Sequence, residues 1–355
     1  MQNERRLLSR ALTTTAFLAA ITLPLAWSSS GPLDGVAQAT APAAVKKIVP
    51  TELYDVEKVV DGDTIHIMRH GKIEKLRLLC VDTEEKIGSG TSAAGTKPPT
   101  VFGEECALWA QSFFAGLAKD GAKPQVGLHF PGEKEERDFY GRLLCYVILP
   151  DGTDYQLMLI EMGKSPYFSK YGWSAFHHAE YLAAQNAARK AQRGIWDPKT
   201  NAAKTPGVPS AQRPYDRLLP WWDARADALT AIAAACRVPG AKVCDTDNPA
   251  ALAEAAKSGE VFDCYGELAK ISEGADGAMV VHFRASKRDQ AFVVYIPKEK
   301  RDAFKELDLP GATEEFRQNY LWFKTRITAD PKGYFKATSE DPAPWKRAGP
   351  EPKLP

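Results

Sequence analysis

Residues 54 to 85 read YDVEKVVDGDTIHIMRHGKIEKLRLLCVDTEE. The stretch alternates apolar and polar positions, is rich in Val and Ile, and is punctuated by Asp61-Gly62 and His70-Gly71. Alternation of period two with turn dipeptides between the runs predicts three strands joined by hairpins, a β-meander from Tyr54 to Val81. Ile87 to Thr100 is rich in Gly, Ser, Thr and Pro and predicts a mobile loop able to cover a site. Apolar positions at Ala107, Leu108, Phe114 and Leu117 predict a helix over Glu104 to Ala118. A strand follows from Arg142 to Leu149, then helices over Tyr155 to Met162 and about Ser174 to Gln192.

The full chain has 355 residues, so more than one body is expected. The N-terminus reads as an export signal, residues 1–39: Arg5, Arg6 and Arg10 precede an apolar run from Ala11 to Trp27, and Ala37-Gln38-Ala39 offers a cleavage site. An uncleaved anchor is the alternative, and export to the periplasm or the exterior is expected either way. Without that segment 43 basic and 43 acidic side chains remain, and no later apolar run is long enough to span a bilayer. Global charge therefore announces no polyanion partner, and nucleic-acid binding must rest on local groups or a bridging metal.

The remaining boundaries are a short N-terminal linker at 40–51, a first domain at 52–198, a Pro-rich linker at 199–215, a helical segment at 216–257, a second domain at 258–341 and a disordered tail at 342–355. Five strand-like runs, near 261–271, 278–285, 291–296, 320–328 and 333–337, with a helix between the third and fourth, follow the order of a five-stranded OB-type barrel. Its aromatics could form a stacking platform, or simply the barrel core, and its partner is left open; Lys287 and Arg288 are the pointers to a bound anion. Among six cysteines, Cys236 and Cys244 bracket a short loop and are the disulfide candidates.

Three groups of residues carry chemistry: Asp61-Gly62-Asp63-Thr64, Arg77 to Glu85, and Asp138-Phe139-Tyr140-Gly141-Arg142. Asp63 and Asp82 fall on neighbouring strands, the oxygen donors a hard cation such as Ca²⁺ takes. Arg77 and Arg142 bring guanidinium forks that match phosphate oxygens. Glu85 is placed to orient or deprotonate water. An EF-hand fails, because Ile65 and Lys72 stand where ligands belong. A P-loop at Gly163-Lys164-Ser165 fails as well, since Met158 replaces the required glycine. His177 and His178 point about 100° apart on a helix and cannot chelate one metal.

In these motifs and their order, from about Tyr54 to Trp196, the sequence resembles the staphylococcal nuclease-like (thermonuclease) family. The resemblance implies an OB-fold barrel with helices and Ca²⁺-dependent hydrolysis of DNA and/or RNA. It implies that Asp63, Asp82 and the Thr83 carbonyl hold Ca²⁺, that Glu85 serves as general base or water-orienting group, that Arg77 and Arg142 act on the phosphate, and that Tyr140 and Tyr167 contact the nucleotide. The family has proline where this chain has Glu84, so Glu84 and Glu85 compete for the base. The alternative function is a silent nuclease fold that binds nucleic acid or an envelope protein. On this reading, truncation after Lys204 leaves a folded, active nuclease.

Overall fold

The computed structural model describes residues 47–87, 99–132, 135–138, 140–200, 213–235, 237–285, 291–313 and 319–347. Residues 1–39, where an export signal is expected, most of the loop after Ile87, Cys236, Lys287 and Arg288 lie outside them. Three antiparallel strands open the first barrel: β1 (Tyr54–Val59), β2 (Thr64–Arg69) and β3 (Lys72–Leu78). Helix α1 (Val101–Leu117) leads to β4 (Gln125–His129), the short β5 (Glu136–Arg137) and β6 (Leu143–Ile148). Two helices, α2 (Tyr155–Glu161) and α3 (His178–Lys190), and a 3-10 turn at Gly194–Trp196 complete this body.

Strand β4 joins β1 to β6, and β6 returns parallel to β3, pairing Leu76 with Leu143 and Leu78 with Cys145. The ring β3-β2-β1-β4-β6 is thereby a closed five-stranded barrel. Its interior is set by the period of two: Ile65, Ile67, Leu76, Leu78, Leu143 and Cys145 are all buried.

Helix α2 is fixed by a single carboxylate. Asp154 Oδ1 accepts from the backbone of Gln156 and Leu157, capping the helix, while Oδ2 accepts from Tyr181 Oη at 2.6 Å and meets His177 Nδ1 at 2.9 Å. The side chain is 3% exposed, so its loss strands two buried polar partners together with the cap. Asp154→Ala is expected to cost about 3 to 5 kcal/mol in urea unfolding; a loss under about 1 kcal/mol would contradict this account of the α2–α3 junction.

The described end of the Pro-rich stretch departs from a linker. Helix α4 begins at Tyr215 and runs to Ala235, although Pro220 lies inside it. Its residues Tyr215, Leu218, Leu219 and Trp222 share one apolar core with Phe102, Phe168 and Ile195 of the first body. Polar ties run alongside: Ser169 donates to Asp223 at 2.6 Å and Trp173 to Asp227 at 2.9 Å.

Beyond α4 come β7 (Val243–Asp245), α5 (Pro249–Ser258), β8 (Val261–Glu273), β9 (Met279–Phe283) and β10 (Phe292–Ile296). A 3-10 stretch at Lys298–Leu307 precedes β11 (Tyr320–Arg326), β12 (Thr328–Ala329), β13 (Phe335–Thr338) and β14 (Lys346–Arg347). Strand β8 pairs with β9 and β11, β9 with β10, and β10 lies parallel to β13. Among the described residues these pairings follow those of β1, β2, β3 and β4, with the parallel β10–β13 pair in the place of β3–β6, while β11 pairs with β14 where the first barrel pairs β4 with β6; the second body is OB-like.

Of the aromatics on its strands, Tyr265, Phe283, Phe292 and Tyr320 are buried, as core residues are. The tail is corrected over its first residues: Trp345 is buried against Phe323 at 4.6 Å, and β14 pairs with β11. Cys244 is a free buried thiol facing Cys264 in register, so the Cys236–Cys244 bridge is not what the structure builds at Cys244. Among the described residues no helix is long and apolar enough to cross a membrane.

Candidate active site

The site forms where β2, β3 and the segment after β3 meet at one end of the first barrel. Asp63 ends the β1–β2 turn. Its neighbour Gly62 packs so closely on Thr83 that a Cβ there would lie 2.6 Å from the threonine methyl. After β3 the chain bends at Cys80, whose φ of 61° is left-handed, and this turn delivers Val81 to Glu85 to the same rim. Thr83 then donates its backbone N–H to Asp63 Oδ2 at 2.7 Å, and Ser165 Oγ accepts the Asp82 N–H at 2.8 Å.

Arg77 is the centre of the arrangement. One guanidinium nitrogen lies 2.7 Å from Asp63 Oδ1 and the other 2.9 Å from Asp82 Oδ1. Both carboxylates are largely buried, so two oxygens of like charge converge on one cation in a place poorly screened by water. Asp61 adds to the negative charge. Its carboxyl is pushed up to about 7, first by burial and then by the charges of Asp63 and Glu85.

The two adjacent glutamates are separated by their surroundings. Glu84 is 1% exposed and turns inward, where Thr100 Oγ1 donates to one oxygen and Tyr215 Oη to the other, the latter at 3.2 Å. Glu85 is half-buried. Its backbone is clamped by the start of α1: Thr100 N donates to Glu85 O at 3.0 Å, and Thr100 Oγ1 caps the helix by accepting from Gly103 N. Gly103 is required by this contact, since a Cβ there would fall 2.0 Å from Glu85 O.

Arg142 precedes β6. In the parallel β3–β6 register Arg77 lies opposite Leu144, so alternation places Arg142 on the same outward face as Arg77. Its guanidinium pairs with Asp138 at 2.6 Å and lies 5.5 Å from the Tyr140 ring centre. Tyr140 is 70% exposed. Tyr167 is not: it is 1% exposed, its hydroxyl accepts from Ser174 N and contacts His178 Nδ1, and its ring packs on Tyr181. The expectation that Tyr167 contacts nucleotide is therefore corrected, because the chain before α3 folds that side chain into the helix junction.

Sequence reasoning missed Arg213 and Tyr215. Arg213 donates to Asp82 Oδ2 at 2.6 Å, and Tyr215 reaches Glu84. No local pattern marks either residue; only the tertiary course of the chain brings them to the rim.

Asp63 and Asp82 supply hard oxygen donors converging on one cationic position, a donor set that fits Ca²⁺ when a backbone carbonyl, water and phosphate complete it. Among the described residues no three Asp, Glu, His or Cys side chains gather into a ready-made metal cage.

The family described as staphylococcal nuclease homologue matches residues 75–198. The thermonuclease of Staphylococcus intermedius is 30% identical over 146 residues, covering 41% of this chain and 77% of that protein. The chain belongs to the staphylococcal nuclease family. A thermonuclease of Staphylococcus hyicus is 28% identical over 145 residues, again 41% of this chain and 76% of the relative. The endonuclease YhcR of Bacillus subtilis (strain 168) is 31% identical over 153 residues, 40% of this chain and 11% of that protein.

Proposed function

We propose that the protein is an exported, Ca²⁺-dependent nuclease that hydrolyses phosphodiester bonds of DNA and/or RNA. The observation that carries this reading is the Asp63–Arg77–Asp82 bridge, two buried carboxylates gathered on one guanidinium at the rim of a staphylococcal nuclease barrel. The presence of Glu85 next to this bridge, and of Arg142 on the same outward face of the barrel as Arg77, supports turnover over a silent binding module. Export rests on the basic and apolar pattern of residues 1–39.

Asp63, Asp82 and the Thr83 carbonyl would hold the cation. When bound, it neutralises phosphate charge and polarises the phosphoryl oxygen. Glu85 takes a proton from the attacking water as its oxygen bonds to phosphorus; the bond to the leaving oxygen breaks, that oxygen takes a proton from solvent, and Glu85 returns its own to solvent. Arg77 and Arg142 face the oxygens on which charge builds, and Tyr140 offers a ring on which a base can stack. The second barrel serves as the accessory body of this enzyme: it holds α4 on the nuclease through Glu267, whose oxygen lies 3.2 Å from Lys170. Burial opposes the charge on Glu267, but Lys170, Arg225 and Arg284 outweigh it and keep its carboxyl down at about 2.

The roles of Arg77 and Arg142 are tested by Arg→Lys substitution, which keeps charge and loses the fork. Each variant is expected to lower kcat on single-stranded DNA by about 10-fold or more, with saturating substrate unable to restore it. Full recovery at high substrate would reduce these arginines to docking groups.

A further inference from the structure

Arg213 lies beyond the matched nuclease segment, yet its side chain is only 10% exposed and ends on a site carboxylate. Asp82 is consequently gripped from two sides, by Arg77 on Oδ1 at 2.9 Å and by Arg213 on Oδ2 at 2.6 Å. The arginine is held by more than this pair. Its guanidinium carbon lies 5.6 Å from the Tyr215 ring centre and 5.5 Å from that of Trp222. Both rings belong to α4, and α4 is packed into the core shared with Phe102, Phe168 and Ile195.

An arginine set between aromatic rings on a buried helix is a fixed part of the site rather than a flap, because moving it would expose that core. Its Nε is buried without a hydrogen-bond partner, a cost that packing alone would not favour. What the placement achieves is electrostatic and geometric. A second guanidinium sets the direction of the Asp82 carboxylate, and it adds one positive charge to a rim where Asp61, Asp63, Asp82 and Glu85 gather.

We propose that Arg213 is a positioning residue of the nuclease site, supplied from outside the nuclease body by the chain just before α4, which fixes Asp82 for catalysis and weakens the site's grip on a divalent cation. The turnover part rests on the nuclease reading above; the cation part does not.

The test uses the full chain carrying Arg213→Gln, with Ca²⁺ binding measured by titration calorimetry and kcat and KM measured on single-stranded DNA. The variant is expected to bind Ca²⁺ at least ~3-fold more tightly, since a like charge has left the site, while kcat falls at least ~10-fold at saturating Ca²⁺ and KM changes little. Arg213→Lys should return the Ca²⁺ affinity to its native value and part of kcat. In an Asp82→Asn background, Arg213→Gln should cause little further loss of kcat, because the positioning runs through Asp82, while the like-charge effect on Ca²⁺ binding should persist. If Gln does not fold, Arg213→Met keeps the stem between Tyr215 and Trp222 and carries the same expectations. Faster turnover would make Arg213 a blocking group and overturn the proposal. Weaker Ca²⁺ binding in step with a lowered melting temperature, or no change in either readout, would overturn it too. A wild-type chain that cleaves nothing would sink the nuclease reading, and the calorimetry would still decide the effect of Arg213 on the cation.

Discussion

Glu85→Gln is expected to lower kcat by at least ~10²-fold, the lower range for losing a general base, while Glu84→Gln leaves kcat within a few-fold of native. The two side chains are adjacent in sequence but differ in what surrounds them. Glu84 is buried and spent on Thr100 and Tyr215, so its role is to tie the loop after β3 to the helices α1 and α4. Glutamine there keeps the shape, weakens those bonds and costs roughly 1 to 3 kcal/mol of stability. Glu85 is half-buried, with its main chain held by Thr100 and its charge felt by Asp61. Initial rates at saturating substrate, set beside urea melts of both variants, make the comparison. Equal losses of kcat, or a larger loss at Glu84, would reject Glu85 as the base.

The second large effect concerns the chain beyond residue 204. A protein ending at Lys204 lacks Tyr215, Leu218, Leu219 and Trp222, all buried against Phe102, Phe168 and Ile195. Burying such side chains stabilises by about 1.5 to 3 kcal/mol each, so their joint loss is comparable with the whole stability of a domain, about 5 to 15 kcal/mol. The truncated protein also leaves Glu84 without its tyrosine and Asp82 without Arg213. It is expected to lose its near-ultraviolet circular dichroism at 37 °C and its cleavage of dinucleotides. A truncated protein with native dichroism and native kcat would restore the independent nuclease that the sequence alone suggests.

That reversal shows what the chain states locally and what it does not. The first barrel is legible because Ile65, Ile67, Leu76 and Leu78 alternate with polar residues and the turns carry glycine, so strand order and the rim position of Asp63, Arg77 and Asp82 follow from the pattern. The second barrel is legible for the same reason, down to the helical stretch between its third and fourth strands. The start of α4 is obscured by Pro214, just before it, and by Pro220, inside it, residues that punctuate loops in most contexts, whereas here tertiary packing holds the helix through Pro220. Trp345 was hidden in a proline-rich tail by the same composition argument. Tyr167 shows the limit of matching motifs. Its identity carried over, but its environment is set by His178, Ser174 and Tyr181, which no spacing announces. Arg213 and Tyr215 lie 131 positions from Asp82 and Glu84, and only the folded chain brings them together.

On the proposed function, the carboxylate pair joined by Arg77 is the seat of cation-assisted phosphodiester hydrolysis. Initial rates of cleavage of a labelled single-stranded DNA by the full chain, in Ca²⁺ and then in EGTA, test it most directly. The rate should drop by at least ~10²-fold in EGTA and return when Ca²⁺ is restored. Cleavage undiminished in EGTA, or absent in Ca²⁺, would contradict it.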